Sequence, residues 1–194
     1  MSKLNKMFEH LYQVVSTKEF LNKDALGGEI PFFIAPYDAK QELQSREEIK
    51  LLIRKLNTNG IEVLELNLYD ITCEILDAKG GVERMFRIEK AKDKAKFLRA
   101  LQSSLNIHQV LMPNIKSKIE NSNAKVYFLT GIGLVYPFIR SHNVLNNLQN
   151  IAKEAPTLAF FPGDYNGQTL NLFGKLKDDN YYRAFNIFKI EAKL

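Results

Sequence analysis

Leu4, Met7, Phe8, Leu11, Tyr12 and Val15 recur at spacings of three and four with polar residues between them, which predicts an amphipathic helix over residues 4–15 that must dock on a core. Gly27-Gly28 then interrupts the chain. Ile30-Pro31-Phe32-Phe33-Ile34-Ala35 is short and almost continuously apolar, the pattern of a strand buried on both faces, and Pro36 is expected to end it. Asp38 and Gln41 have the spacing of a capping box. Leu43, Ile49, Leu52, Ile53 and Leu56 share one face of the helix that follows, and Asn59-Gly60 closes it. The branched run Ile61 to Leu68 reads as a second strand. Strand, helix and strand with short connections make a βαβ unit, whose crossover lays the two strands parallel.

The same alternation continues. A helix is expected from Tyr69 to about Lys79, ahead of Gly80-Gly81. Residues 82–121 read as two or three helices, with Phe97, Leu98, Leu101 and Leu105 apolar in one and Val110, Leu111, Ile115 and Ile119 in the next. Pro113 kinks the latter or sits near its start. Ala124 to Thr130 forms a third strand. Leu145, Leu148 and Ile151 mark a helix whose first turn can hold Pro137, and Pro156 to Phe161 forms a fourth strand stopped by Pro162-Gly163. Gln168 to Phe173 and Tyr182 to Ile190 are strand-like and expected at the sheet edge. The fold class is therefore α/β: a mainly parallel central sheet, helices on both faces, and antiparallel edge strands near the C-terminus. One domain spans residues 1–194, with residues 82–121 as a helical insertion.

Composition narrows the setting. The 194 residues contain one cysteine, Cys73, so no disulfide can close within the chain, and a reducing, cytoplasmic compartment is expected. The N-terminus has no signal-peptide apolar core. The apolar runs stay well short of the roughly 18 residues a membrane span needs. The net charge of +5 is concentrated: residues 87–125 hold nine Lys or Arg against three acids, and the remainder is close to neutral. Such a segment is either a solvated helix face or an attractor of phosphate, and Lys90, Lys92, Lys94, Lys96 and Arg99 are its candidate nucleic-acid contacts.

Candidate chemistry is sought at the carboxyl ends of the strands, where open α/β sheets bind ligands. Pro36, Tyr37 and Asp38 follow the first strand. Asn67, Tyr69 and Asp70 follow the second, Thr130, Gly131, Gly133 and Tyr136 the third, and Pro162, Gly163, Asp164 and Tyr165 the fourth. Thr130-Gly131-Ile132-Gly133 sits where a phosphate loop would, but the dinucleotide fingerprint wants a third glycine where Tyr136 stands. The triphosphate loop wants Gly-Lys-Ser/Thr, which occurs nowhere in the chain. His10, His108 and His142 are not spaced from one another or from Cys73 like zinc ligands, and Cys73 is expected as a buried structural residue. No nucleophile elbow is present, and the neighbours Ser141 and His142 make no triad by themselves. No catalytic residue, metal ligand or cofactor is assigned. A nucleotide- or metal-dependent enzyme built on Gly131 to Arg140 is kept as a rival. Asp178-Asp179-Asn180-Tyr181-Tyr182-Arg183 is either a turn or a recognition patch, since Tyr and Arg are favoured at interface hot spots.

Three long strings carry a family likeness: Phe128 to Leu148 (FLTGIGLVYPFIRSHNVLNNL), Phe160 to Leu170 (FFPGDYNGQTL) and Leu176 to Phe185 (LKDDNYYRAF), with Asn67-Leu68-Tyr69-Asp70 before them. They resemble the BrxB family of BREX bacteriophage-exclusion systems, and the likeness covers most of the chain. The resemblance implies a subunit of a multi-protein phage-defence system without established enzymatic activity. It also implies a partnership with the alkaline-phosphatase-like component PglZ, in an assembly that contains a DNA methyltransferase and an ATPase. The family offers no catalytic residues to carry over. The concentration of these strings places the expected partner surface at Tyr136, Arg140, His142, Asn143, Asp164, Tyr165, Asp178, Asp179, Tyr182 and Arg183. Direct nucleic-acid binding by residues 87–125 is the alternative.

Overall fold

A computed structural model describes residues 2–22, 32–177, 182 and 184–190. Helix α1 (Lys3–Val15) starts where the Ser2 side chain accepts from Asn5 N, and it buries Leu4, Phe8, Leu11, Val14 and Val15. The short α2 (Lys18–Leu21) buries Phe20. Strand β1 (Phe32–Tyr37) leads through a 3₁₀ turn to α3 (Glu42–Thr58) and β2 (Val63–Asn67). Four helices then carry the chain back: α4 (Leu68–Asp77), α5 (Gly81–Ala91), α6 (Lys94–Ser104) and α7 (Met112–Glu120), with a π turn at Ile107–Leu111. Strand β3 (Val126–Thr130), helix α8 (Ser141–Ile151) and strand β4 (Thr157–Tyr165) follow. Three short strands close the chain: β5 (Leu170–Leu172), β6 (Leu176–Lys177) and β7 (Phe185–Asn186).

The main sheet runs β2-β3-β4-β1-β7, with every neighbouring pair parallel. Successive side chains point to opposite faces. Phe32 and Ile34 of β1, Tyr127 and Leu129 of β3, and Ala159 and Phe161 of β4 join one core with α4, α7 and α8. Phe33, Ala35, Phe128, Leu158 and Phe160 join the other, under α1 and α3. Phe160 lies between Phe8 at 6.2 Å and Phe128 at 5.1 Å, so the first helix is seated on the centre of the sheet. Lys55 of α3 clips it from outside, 3.6 Å from the Tyr12 ring centre and 3.4 Å from Glu9 Oε2.

Several expected boundaries move. Pro36 lies inside β1, paired with Phe161 rather than ending the strand. The β1 and β2 strands are parallel but not adjacent, because β3 and β4 fill the space between them. Asp38 caps the 3₁₀ turn through Lys40 N, not α3 itself. Pro113 sits in the first turn of α7. Pro137 follows a 3₁₀ turn (Ile132–Val135) through a cis peptide bond and precedes α8 instead of opening it. Among the described residues of the expected terminal strand, Phe185–Asn186 forms a strand, which pairs parallel to β1. The largest change is in β4, which does not stop at Pro162-Gly163 but runs on to Tyr165 and pairs antiparallel with β5, which in turn pairs with β6. Ile30, Pro31 and Gly27-Gly28 lie outside the described residues.

Candidate functional site

The carboxyl ends of β2 and β3 are tied together by side chains. Asn67 Oδ1 accepts from Tyr69 N at 3.0 Å and Asp70 N at 3.3 Å, capping α4. Buried Thr130 donates its hydroxyl to Glu65 Oε1 at 2.7 Å. Gly131 follows with φ +72°, and a Cβ there would stand 2.5 Å from Asn67 Oδ1 and 3.2 Å from Tyr69 N. A Cβ on Gly133 would meet Phe173 Cε1 and Pro162 Cγ, each at 2.9 Å. The glycines of a dinucleotide loop keep space open for a phosphate. Here the Asn67 cap of α4 crowds Gly131, and the Phe173 and Pro162 rings crowd Gly133.

Phe173 reaches Gly133 because β4 and β5 form a hairpin. Its N–H donates to Pro162 O at 2.8 Å, and it turns the chain toward β6 with φ +58°, an uncommon conformation for a bulky side chain. Its ring packs edge-on against Tyr136, centroids 6.2 Å apart, and remains 36% exposed. Beside the pair is a hollow of about 320 Å³ walled by Arg140, His142, Lys175, Leu176 and Lys177. Arg140 also supplies the N-terminal boundary of α8, whose first turn has no side-chain cap.

Of the residues expected at a partner surface, Tyr136, Arg140 and His142 thus line one hollow, and Asn143 is exposed on the following turn. Asp164 lines a different groove of about 630 Å³, shared with Asp38, Lys3 and Met7 at the ends of β1 and β4. Tyr165 and Tyr182 are buried and structural: the Tyr165 hydroxyl donates to Ala184 O at 2.8 Å and lies 3.2 Å from Tyr182 O, fastening the last segment to the hairpin. Asp178, Asp179 and Arg183 lie outside the described residues. Phe173, Lys175 and Leu176 were not expected here. Their signal was the exposed-turn pair Phe173-Gly174, which carries no periodicity.

A second polar pocket, about 230 Å³, lies over the ends of β2 and β3 and is lined by Glu42, Arg46, Lys50, Glu65 and Asp70. The Tyr37 hydroxyl donates to Glu42 Oε2 at 2.6 Å on its wall. Burial first, and then the neighbouring Glu42 carboxylate, hold the Tyr37 phenol far above its ordinary pKa of 10.0.

The basic segment divides. Lys118 pairs with Glu74 at 2.7 Å and Lys116 with Glu120 at 3.6 Å, while Lys125 Nζ donates to Gly60 O at 3.2 Å. Lys90, Lys92, Lys94, Lys96 and Arg99 are instead exposed on α5 and α6. Cys73 is half-buried rather than buried. Among the described residues, no three His, Cys, Asp or Glu side chains are grouped to hold a metal ion, and no helix is long and apolar enough to cross a membrane.

The geometry defines an α/β protein with a mainly parallel sheet, a glycine turn after β3 crowded by Asn67, Phe173 and Pro162, and a mixed aromatic and basic rim beside it. Residues 64–187 match the model of the family described as "BREX protein BrxB". A "BREX protein BrxB" of Bacillus cereus (strain H3081.97) is 35% identical over 191 residues, covering 96% of this chain and 98% of the relative. Another of Escherichia coli O9:H4 (strain HS) is 31% identical over 173 residues, covering 89% of this chain and 86% of the relative. No solved structure matches significantly. The chain belongs to the BrxB family of BREX phage-defence systems, and other BREX proteins are its partners.

Two outcomes test this geometry. Gly131→Ala forces a Cβ against Asn67 Oδ1, so its destabilisation, together with that of Asn67→Ala, should be non-additive by about 0.5–3 kcal/mol in a double-mutant cycle read by urea unfolding. Additive losses would show that the two do not touch. Tyr37 sets a pH limit. Its pKa is raised on folding, so its contribution is fully present below pH 10, where both states are protonated. Above that the unfolded state loses the proton first, and stability should fall by up to about 1.4 kcal/mol per pH unit. Unfolding at pH 9 and 11 should show a larger loss for the parent than for Tyr37→Phe.

Proposed function

We propose that this chain is a non-enzymatic interaction subunit of a BREX assembly, acting in the cytoplasm, and that it docks the alkaline-phosphatase-like component PglZ through the rim beside Tyr136. The observation that carries the reading is the half-buried Tyr136, which carries the exposed Phe173 ring edge-on and lines a hollow with Arg140 and Leu176. Aromatic residues and arginine around a small apolar centre are what protein interfaces concentrate at their hot spots. A bulky residue held at positive φ, with its ring left partly in water, is also a strained and unproductive arrangement for the isolated chain, and it makes sense where the ring is presented to a partner. All three family-like strings meet here, because Pro162 packs over Gly133 and Leu176 walls the hollow beside Tyr136.

The crowding at Gly131 and Gly133 supports the non-enzymatic part of the reading, since Asn67, Phe173 and Pro162 pack closely against the turn that most resembles a phosphate loop. Tyr165 and Tyr182 act behind this surface, holding the hairpin and the last segment together.

Capture of PglZ by the tagged full-length chain tests the proposal. Arg140→Ala and Phe173→Ala should each weaken capture at least tenfold, about 1.4 kcal/mol or more, while circular dichroism melting confirms that both variants fold. Full capture by both folded variants would refute this rim.

A further inference from the structure

The α5–α6 hairpin is a second feature the docking rim does not use. Residues 84–99 hold seven Lys or Arg against two acids, so this arm carries a surplus equal to the net +5 of the whole chain. It is thinly rooted: α5 buries only Met85, and α6 has no fully buried residue. Its base is fixed by Lys79 Nζ, which donates to Ser104 O at 2.6 Å, and by Arg84, which donates to Lys79 O at 2.7 Å. At the tip, Ala91 to Lys96 are all exposed. Of the cations there, Lys96 pairs with Asp93 at 3.1 Å, whereas Arg87, Lys90, Lys92, Lys94 and Arg99 form no ion pair with the described residues.

Placement argues against a merely solvated face. Lys94 and Lys96 occupy the first turn of α6, whose N-terminal dipole repels cations, and that turn holds no acidic residue. Asp93, which accepts from Lys96 N, offsets only part of this. Positive charge is thus gathered at one exposed point against its local electrostatics, and the field there favours an anion. From Ala91 to Lys96 there is no large apolar side chain; Phe97 and Leu98 beyond them are half-buried, and the exposed Val82 and Phe86 lie in the first two turns of α5. A protein interface needs an apolar centre. A phosphate backbone does not, because counterion release supplies the affinity.

We propose that the α5–α6 tip is a sequence-independent contact site for the phosphate backbone of nucleic acid, made by Lys90, Lys92, Lys94, Lys96 and Arg99. Fluorescence polarisation with the full chain, on mixed-sequence 30-mer DNA probes, both duplex and single-stranded, tests this. Binding to at least one probe is expected. With about four phosphates neutralised, affinity should fall about 100-fold between 50 and 200 mM salt. Replacing the five cations by alanine should reduce affinity at least tenfold and flatten the salt dependence without lowering the melting temperature, since all five are exposed. Absence of binding to both probes at 50 mM salt would overturn the proposal. So would an unchanged salt slope in the five-fold variant, or capture of poly-glutamate with no capture of DNA.

Discussion

The backbone of β4 at Gly163 passes so close to β5 that a Cβ there would stand 2.1 Å from the Asn171 carbonyl oxygen. That approach lets one strand serve two partners in succession. Its first half pairs in parallel with β1 and β3, and its second half leaves the plane and pairs antiparallel with β5. Because the strand continues, Phe173 can donate to Pro162 O and lay its ring on Gly133. Segments separated by some 40 residues in the chain then share one rim. At the Gly131–Gly133 turn a side chain would meet Asn67 on one glycine and the Phe173 and Pro162 rings on the other.

The rest of the molecule holds that rim still. Both faces of β1, β3 and the first half of β4 are buried, which is why these strands read as apolar runs rather than alternating ones. Beneath the hairpin, Tyr165 anchors the last segment. The charge distribution separates the functions in space. Lysines on α7 and just before β3 are spent on Glu74, Glu120 and the Gly60 carbonyl, whereas on the α5–α6 arm only Lys96 pairs with a described acid, Asp93. The rim beside Tyr136 sits near the strand ends, and the cationic tip is carried on the crossover between β2 and β3.

The sequence disclosed the order of elements well, because burial patterns are local: α1, α3, β3 and α8 fall close to where periodicity places them. It failed where a distant contact overrides a local signal. Pro162-Gly163 has the composition of a strand stop, yet Gly163 is the residue that lets β5 approach, and Pro36 is tolerated inside β1. Strand order was unreadable, since nothing in β1 or β2 records that β3 and β4 lie between them. Tyr136, Arg140 and His142, which line one hollow, are residues that the family-like string already singles out. Tyr165 and Tyr182 looked like contact residues because tyrosine suits both interfaces and cores, and only burial separates the two. Phe173 was invisible as a site residue, since its role comes from the turn and not from its neighbours in sequence.

What remains is whether the rim held together by Gly163 and Phe173 is the face that meets the assembly. Amide hydrogen exchange of the chain, alone and bound to PglZ, measures this directly. Slower exchange in the complex at residues 136–143 and 172–177, with the α1–α3 face unchanged, is the predicted result. Unchanged exchange across both rim segments, with protection appearing on α1 and α3 instead, would contradict it.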